Sequence, residues 1–96
     1  MTATARRPTS VHRFALPFGH ADTRRNGDTI YIDAPGVTSV FPAATAADLA
    51  ALDRRYTAVV DDGRWYPLAA LPWLGRRLHV HAWAAQVHTL ITATHQ

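Results

Sequence analysis

The sequence contains no cysteine, no lysine and no glutamate. Without cysteine the chain forms no disulfide and supplies no thiolate to a metal ion or to a reaction. Such a chain fits a reducing compartment, so we expect a cytoplasmic protein. Because lysine and glutamate are absent, arginine carries the permanent positive charge of the side chains and aspartate carries the negative charge.

Long apolar runs are missing as well. A membrane-spanning helix needs roughly 20 consecutive apolar residues, whereas the stretch WYPLAALPWL at 65–74 is interrupted by Pro67 and Pro72. The N-terminal sequence MTATARRPTS lacks the apolar core of a secretory signal. We therefore expect neither a membrane segment nor export.

Motifs for catalysis and cofactor binding are also absent. Serine occurs only at Ser10 and Ser39, neither in a nucleophile elbow, and the isolated glycines form no phosphate-binding loop. On a helix, His81, His88 and His95 would be spaced by about 10.5 Å, too far apart for two ligands of one metal ion. The sequence therefore predicts no cofactor, no metal site and no assembled catalytic centre, which favours a protein that is not an enzyme.

Arginine in adjacent pairs is the clearest feature that is present. Eight of the ten arginines are paired, and the formal net charge is +3. A guanidinium keeps its charge and offers a rigid fork of donors that matches a phosphate or carboxylate. The alternative interpretation of each pair is that it lies on the solvent-exposed surface and binds no ligand. The pairs are Arg6-Arg7, Arg24-Arg25, Arg54-Arg55 and Arg76-Arg77.

The N-terminal region favours an arm followed by strands. Residues 1–10 are basic and show no apolar periodicity, so we predict a flexible N-terminal arm there and a small single α+β domain over residues 11–96. The stretch VHRFALPF at 11–18 alternates like a half-buried strand. A tight turn at Asn26-Gly27 would place Arg24 and Arg25 near a loop tip.

A second turn is predicted at Pro35-Gly36, which fits the central positions of a type II turn. This turn would pair the strand before it with the strand after it and bring Ile32 opposite Ser39. Together with the strand at 11–18, these segments predict a three-stranded antiparallel meander over residues 11–41.

A helix is predicted for TAADLAALDRRY at 45–56. Thr45 and Asp48 approximate a capping box, and Leu49, Leu52 and Tyr56 form one apolar stripe. After it, the β-branched residues of TAVVDDGRWY favour a short hairpin that turns at Asp62-Gly63. That hairpin would place Val60 opposite Trp65, and a longer helix closed by Gly63 is the alternative.

The C-terminal segment 76–94 offers no turn residues after Gly75, so one continuous element is expected. An apolar stripe at helical spacing predicts a C-terminal helix with its histidines on the solvent side. The alternative is a strand, in which His79 and His81 would share one face. The stripe consists of Val80, Trp83, Ala84, Val87, Leu90 and Ile91.

Three functions are compatible with these residues. The preferred hypothesis is a non-catalytic module that binds an acidic partner through its arginines. Nucleic acid is preferred over an acidic protein surface as this partner. The predicted interface comprises Arg24, Arg25, Arg54, Arg55, Arg64, Arg76 and Arg77.

The first alternative is a protein-interaction module, such as an inhibitor, an adaptor or a virion component. It would dock through the aromatic cluster at 65–74, with Trp65, Tyr66 and Trp73 as anchors. The second alternative is a small metal-independent ribonuclease, which needs only a histidine or carboxylate and an arginine. A homodimer is compatible with each hypothesis.

Overall fold

The computed structural model of the chain describes residues 11–60 and 63–95. The arm predicted at 1–10 lies outside the described residues, so its flexibility stays a prediction. Within the described part, four helices accompany a five-stranded antiparallel sheet, which confirms the α+β class. None of these helices combines the length and the apolarity needed to cross a membrane.

The strands are β1 Val11–Leu16, β2 Gly19–Asn26, β3 Thr29–Asp33, β4 Val59–Val60 and β5 Arg64–Pro67. Their order in the sheet is β1-β2-β3-β5-β4. A three-stranded meander is present, but it consists of β1, β2 and β3 and ends at Asp33, whereas the prediction extended it to residue 41. The segment after Pro35-Gly36, predicted as its third strand, is helical. A turn at Gly27, whose φ of 65° suits glycine, connects β2 to β3.

The type II turn predicted at Pro35-Gly36 is wrong, because these residues lie in the first turn of helix α1, Ala34–Val40. Asp33 begins this helix as its N-cap, and its carboxylate accepts a hydrogen bond of 3.0 Å from the Gly36 N–H. Proline suits the first turn of a helix, where its missing N–H would be unpaired anyway. Ile32 therefore pairs with Tyr66 of β5 rather than with Ser39.

Helix α2, Ala46–Arg55, confirms the prediction for this region. The Thr45 hydroxyl accepts from the Asp48 N–H at 3.2 Å, and the Asp48 carboxylate accepts from the Thr45 N–H at 2.9 Å. Both halves of the capping box are thus formed, so two N–H groups at the helix start have partners. Leu52, from the predicted stripe, is fully buried.

The hairpin of β4 and β5 is present, which excludes the longer helix that Gly63 would have closed. Its register differs by one residue from the prediction, because Val60 pairs with Arg64 and Val59 pairs with Trp65. The turn residues Asp61 and Asp62 lie outside the described residues.

The prediction of one continuous helix over 76–94 is wrong at its N-terminal end. Residues 76–77 belong to a preceding helix, and the C-terminal helix begins only at residue 81. These two helices are α3 Ala70–Arg77 and α4 His81–Thr94. The Val80 N–H donates to the Gly75 carbonyl at 2.8 Å, and the His79 N–H donates to the Arg76 carbonyl at 3.2 Å. These two bonds form a Schellman motif, which ends α3 without any turn residue after Gly75.

Helices α3 and α4 pack closely against one another and against the sheet. A Cβ atom placed on Gly75 would overlap the Cβ of Ala84, so glycine permits this close approach. The Trp83 indole N–H donates to the Val40 carbonyl at 2.7 Å and joins α4 to α1. The largest fully buried apolar side chains of the shared core are Ile32, Leu52, Leu71, Leu74, Ile91, Val37 and Val40.

Candidate functional site

Two of the arginine pairs contribute to one groove between α2 and α3. This groove is a cavity of about 630 Å³, and we call it the basic groove. Arg55 from α2 and Arg76 and Arg77 from α3 line it, together with Tyr56 and Trp73. Three guanidinium groups and two aromatic rings are thus brought together from two separate helices.

The positions of these arginines have a local cause. Arg54 and Arg55 lie in the last turn of α2, and Arg76 and Arg77 lie in the last turn of α3. A helix C-terminus carries partial negative charge, which a guanidinium offsets. Helices α2 and α3 pack antiparallel, because Arg77 at the end of α3 bonds to Asp48 near the start of α2, and the Tyr56 hydroxyl after α2 donates to the Ala69 carbonyl before α3. Arg55 and the Arg76-Arg77 pair therefore reach the groove from opposite directions along the two helices.

The three groove arginines differ in how they are held. Arg77 donates from Nε to Asp48 Oδ1 at 2.8 Å, and its guanidinium carbon lies 5.9 Å from the centre of the Trp73 ring. Hydrogen bonds from the Thr45 N–H and from Arg77 lower the pKa of Asp48. Among residues 11–60 and 63–95, no carboxylate pairs with Arg55 or Arg76. Those two guanidiniums therefore remain available to an anionic ligand.

The aromatic wall of the groove is ordered by its own contacts. The rings of Tyr56 and Trp73 meet edge to face with centres 6.2 Å apart, and the guanidinium carbon of Arg55 lies 5.7 Å from the centre of the Tyr56 ring. Sequence reasoning missed Tyr56, since its position in the apolar stripe of α2 indicated core packing. The ring is instead only half-buried and contributes to the groove.

The remaining predicted arginines do not line this groove. Arg24 and Arg25 lie near the end of strand β2, close to the turn at Gly27, and as neighbours on a strand they point to opposite faces of the sheet. Arg24 lies over the Trp65 ring at 4.5 Å, and Arg25 donates to the His95 carbonyl at 2.9 Å.

Arg54 and Arg64 also lie outside the lining of the basic groove. Arg54 is exposed beside Arg55. Arg64 donates to the Tyr66 hydroxyl at 3.2 Å and forms an ion pair of 3.3 Å with Asp53. A role for these two arginines in binding stays a prediction.

The aromatic cluster predicted as a docking surface is mostly internal. Trp65 and Tyr66 are only 6% and 5% exposed, while Trp73 is half-buried in the basic groove. The Tyr66 hydroxyl donates to Asp53, and burial together with this hydrogen bond raises the pKa of Tyr66. These burials weigh against docking through all three rings.

Exposed apolar surface is found instead around Phe18, which is 63% exposed. Phe18, Val80 and Trp83 contribute to an apolar groove of about 400 Å³. A protein partner would therefore meet apolar side chains there rather than at Trp65 and Tyr66.

Two histidines meet at the end of α4, against the expectation that the histidines of this helix face solvent. His95 is 8% exposed, and its Nε2 shares a hydrogen bond of 2.7 Å with the buried Thr23 hydroxyl. The ring of His12 packs edge-on against it, with centres 4.7 Å apart. Among the described residues, no three potential metal ligands converge. A hydroxyl, a second imidazole and the Arg25 guanidinium surround His95, a setting that favours its neutral form.

The free energy of unfolding is expected to fall as pH decreases below about 6.5, the ordinary pKa of histidine. Burial, then His12 and Arg25, lower the pKa of His95 in the folded chain. The unfolded chain therefore takes up a proton at a pH where folded His95 does not, and acid favours unfolding. Urea unfolding at about pH 7.5 and about pH 5.5 measures this loss.

Replacing His95 with glutamine, which can still hydrogen-bond to Thr23, should weaken that pH dependence. His20→Gln is the matched control, because His20 is exposed on β2. Equal pH dependence in the wild type and in His95→Gln would show that His95 does not cause the loss.

Comparison of the chain with protein-family models, with curated proteins and with solved structures found no match. The function is therefore inferred from the chain's own residues.

Proposed function

We propose that the protein is a non-catalytic module that binds single-stranded nucleic acid in the basic groove. Arg55, Arg76 and Arg77 would contact phosphates, and Tyr56 and Trp73 would contact bases. The single observation that carries this proposal is the convergence of three guanidiniums from two helices around two partly exposed rings. Charge and stacking surface are the two features that sequence-independent binding of single strands requires.

Nucleic acid is favoured over an acidic protein because of the rings. A carboxylate-rich surface would use the guanidiniums but would leave Tyr56 and Trp73 without suitable partners. A nucleotide offers a flat base within a few ångströms of its phosphate, so it can use both parts of the groove. Arg55 and Arg76 have no carboxylate partner among the described residues, so binding there breaks no ion pair that they form.

A single strand is favoured over a duplex because the rings form the wall of a groove and do not stand on a protruding element. Only unpaired bases can turn outward to stack on side chains in such a position. Readers of duplex DNA instead insert a helix or ribbon into the major groove. The proposal therefore includes a preference for unpaired over paired strands of the same length.

Fluorescence anisotropy with a labelled oligothymidylate of about 12 nucleotides tests the proposal. Three phosphate contacts, each contributing about 0.7, give an expected slope of about −2 for the logarithm of affinity against the logarithm of salt concentration. A duplex of the same length should bind more weakly. A neutral-backbone oligomer of the same sequence is the matched control for charge. Absence of binding at low salt, or affinity independent of salt, would contradict the proposal.

A further inference from the structure

A second cavity adjoins the basic groove at the turn between α3 and α4. It has a volume of about 650 Å³ and is lined by Arg76, His79 and His81. Arg76 lines this cavity and the basic groove alike, so the two cavities adjoin at this residue. We call this second cavity the histidine cavity. The surface that offers hydrogen-bond donors thus extends past Arg76 to two imidazoles.

The two imidazoles of the histidine cavity have no hydrogen-bond partner among the described residues. His79 and His81 are both exposed, and neither side chain forms a hydrogen bond with another described residue. A neutral imidazole offers one N–H donor, and a protonated one offers two donors and a positive charge. Beside the Arg76 guanidinium, these groups match the oxygens of a phosphate.

His79 stands where the backbone favours glycine. Its φ is 61°, in the left-handed region, and it fills the position of the Schellman motif that glycine usually occupies. A side chain at this position is unfavourable for stability. Within the described residues, the exposed imidazole of His79 forms no hydrogen bond that would offset this cost, so a ligand explains the residue better than folding does.

We infer that Arg76, His79 and His81 form a second phosphate site, and that a strand held in the basic groove continues into the histidine cavity. This inference rests on the proposed function and names the next contact of the same ligand. The ligand group is a backbone phosphate of the bound strand. Helix α4 begins at His81, so the positive end of the helix adds to the charge at this site.

His79→Gly separates a binding role from a structural one, because it removes the imidazole and relieves the backbone at the same time. We expect its melting temperature to rise, while its affinity for the oligothymidylate of about 12 nucleotides falls about fivefold. His81→Gln should lower affinity by a similar factor. His88→Gln is the matched control on the same helix and should bind like the wild type.

The outcomes distinguish the two proposals. If the wild type does not bind the oligothymidylate, the proposed function and this inference fail together. If the wild type binds with the expected salt dependence while His79→Gly and His81→Gln bind equally well, the inference alone is overturned. A titration with inorganic phosphate, followed by NMR, gives a second readout. The imidazole resonances of His79 and His81 should move, whereas that of His20 should not.

Discussion

Replacing Gly75 with alanine is expected to lower the free energy of unfolding by about 2 kcal/mol. The new methyl group would overlap the Cβ of Ala84, and neither carbon belongs to a flexible side chain that can turn away. The two helices must therefore move apart. Alanine is more favourable than glycine inside a helix by about 1 kcal/mol. The expected net loss of about 2 kcal/mol is what remains of the overlap cost after this gain is subtracted. Urea unfolding of both proteins measures the difference.

The matched control moves the methyl group rather than adding one. Gly75→Ala combined with Ala84→Gly places one methyl between the helices, as in the wild type, only on the other helix. We expect the double variant to be clearly more stable than Gly75→Ala alone. If the second substitution makes the protein still less stable, the overlap at this contact is not the cause of the loss.

The double variant Arg55→Gln with Arg76→Gln is expected to bind the oligothymidylate about 30-fold more weakly at low salt. Two lost phosphate contacts account for this factor at about 1 kcal/mol each. The salt slope should become shallower by about 1.4, because each contact with a single strand contributes about 0.7. Neither guanidinium has a carboxylate partner among the described residues, so stability should change little. Anisotropy titrations over a range of salt concentrations give both quantities.

Gln86→Glu with Thr89→Glu on α4 serves as the control of equal charge change. Both residues are exposed and lie outside the lining of the basic groove. We expect this variant to keep most of the affinity and most of the salt slope. Equal losses in the two double variants would mean that net charge, and not the groove, determines binding.

Local signals in the sequence predicted those elements whose structure depends on neighbouring residues. The capping box of Thr45 and Asp48 was readable because its partners are three residues apart. The sequence DAPG at 33–36 was ambiguous, because proline followed by glycine suits both a turn and the first turn of a helix. Asp33 decides between them by accepting from the Gly36 N–H, and an N-cap aspartate was the available signal.

Contacts between segments that are distant in the chain could not be predicted from local sequence signals. The pairing of Ile32 with Tyr66 depends on the whole chain between them, and so does the contact of His12 with His95. The sequence named Arg55, Arg76 and Arg77 as candidates because they are paired. Only the packing of α2 beside α3 shows that these three, and not Arg24 or Arg25, line one cavity.

The hydrogen bond between Thr23 and His95 spans 72 residues and has a consequence for biosynthesis. During translation the hairpin of β1 and β2 is made before helix α4. Ala21 of this hairpin is covered by helix α1, which follows β3 directly in the chain. The contacts of Thr23 and His12 with His95, by contrast, cannot form until residue 95 has been synthesised.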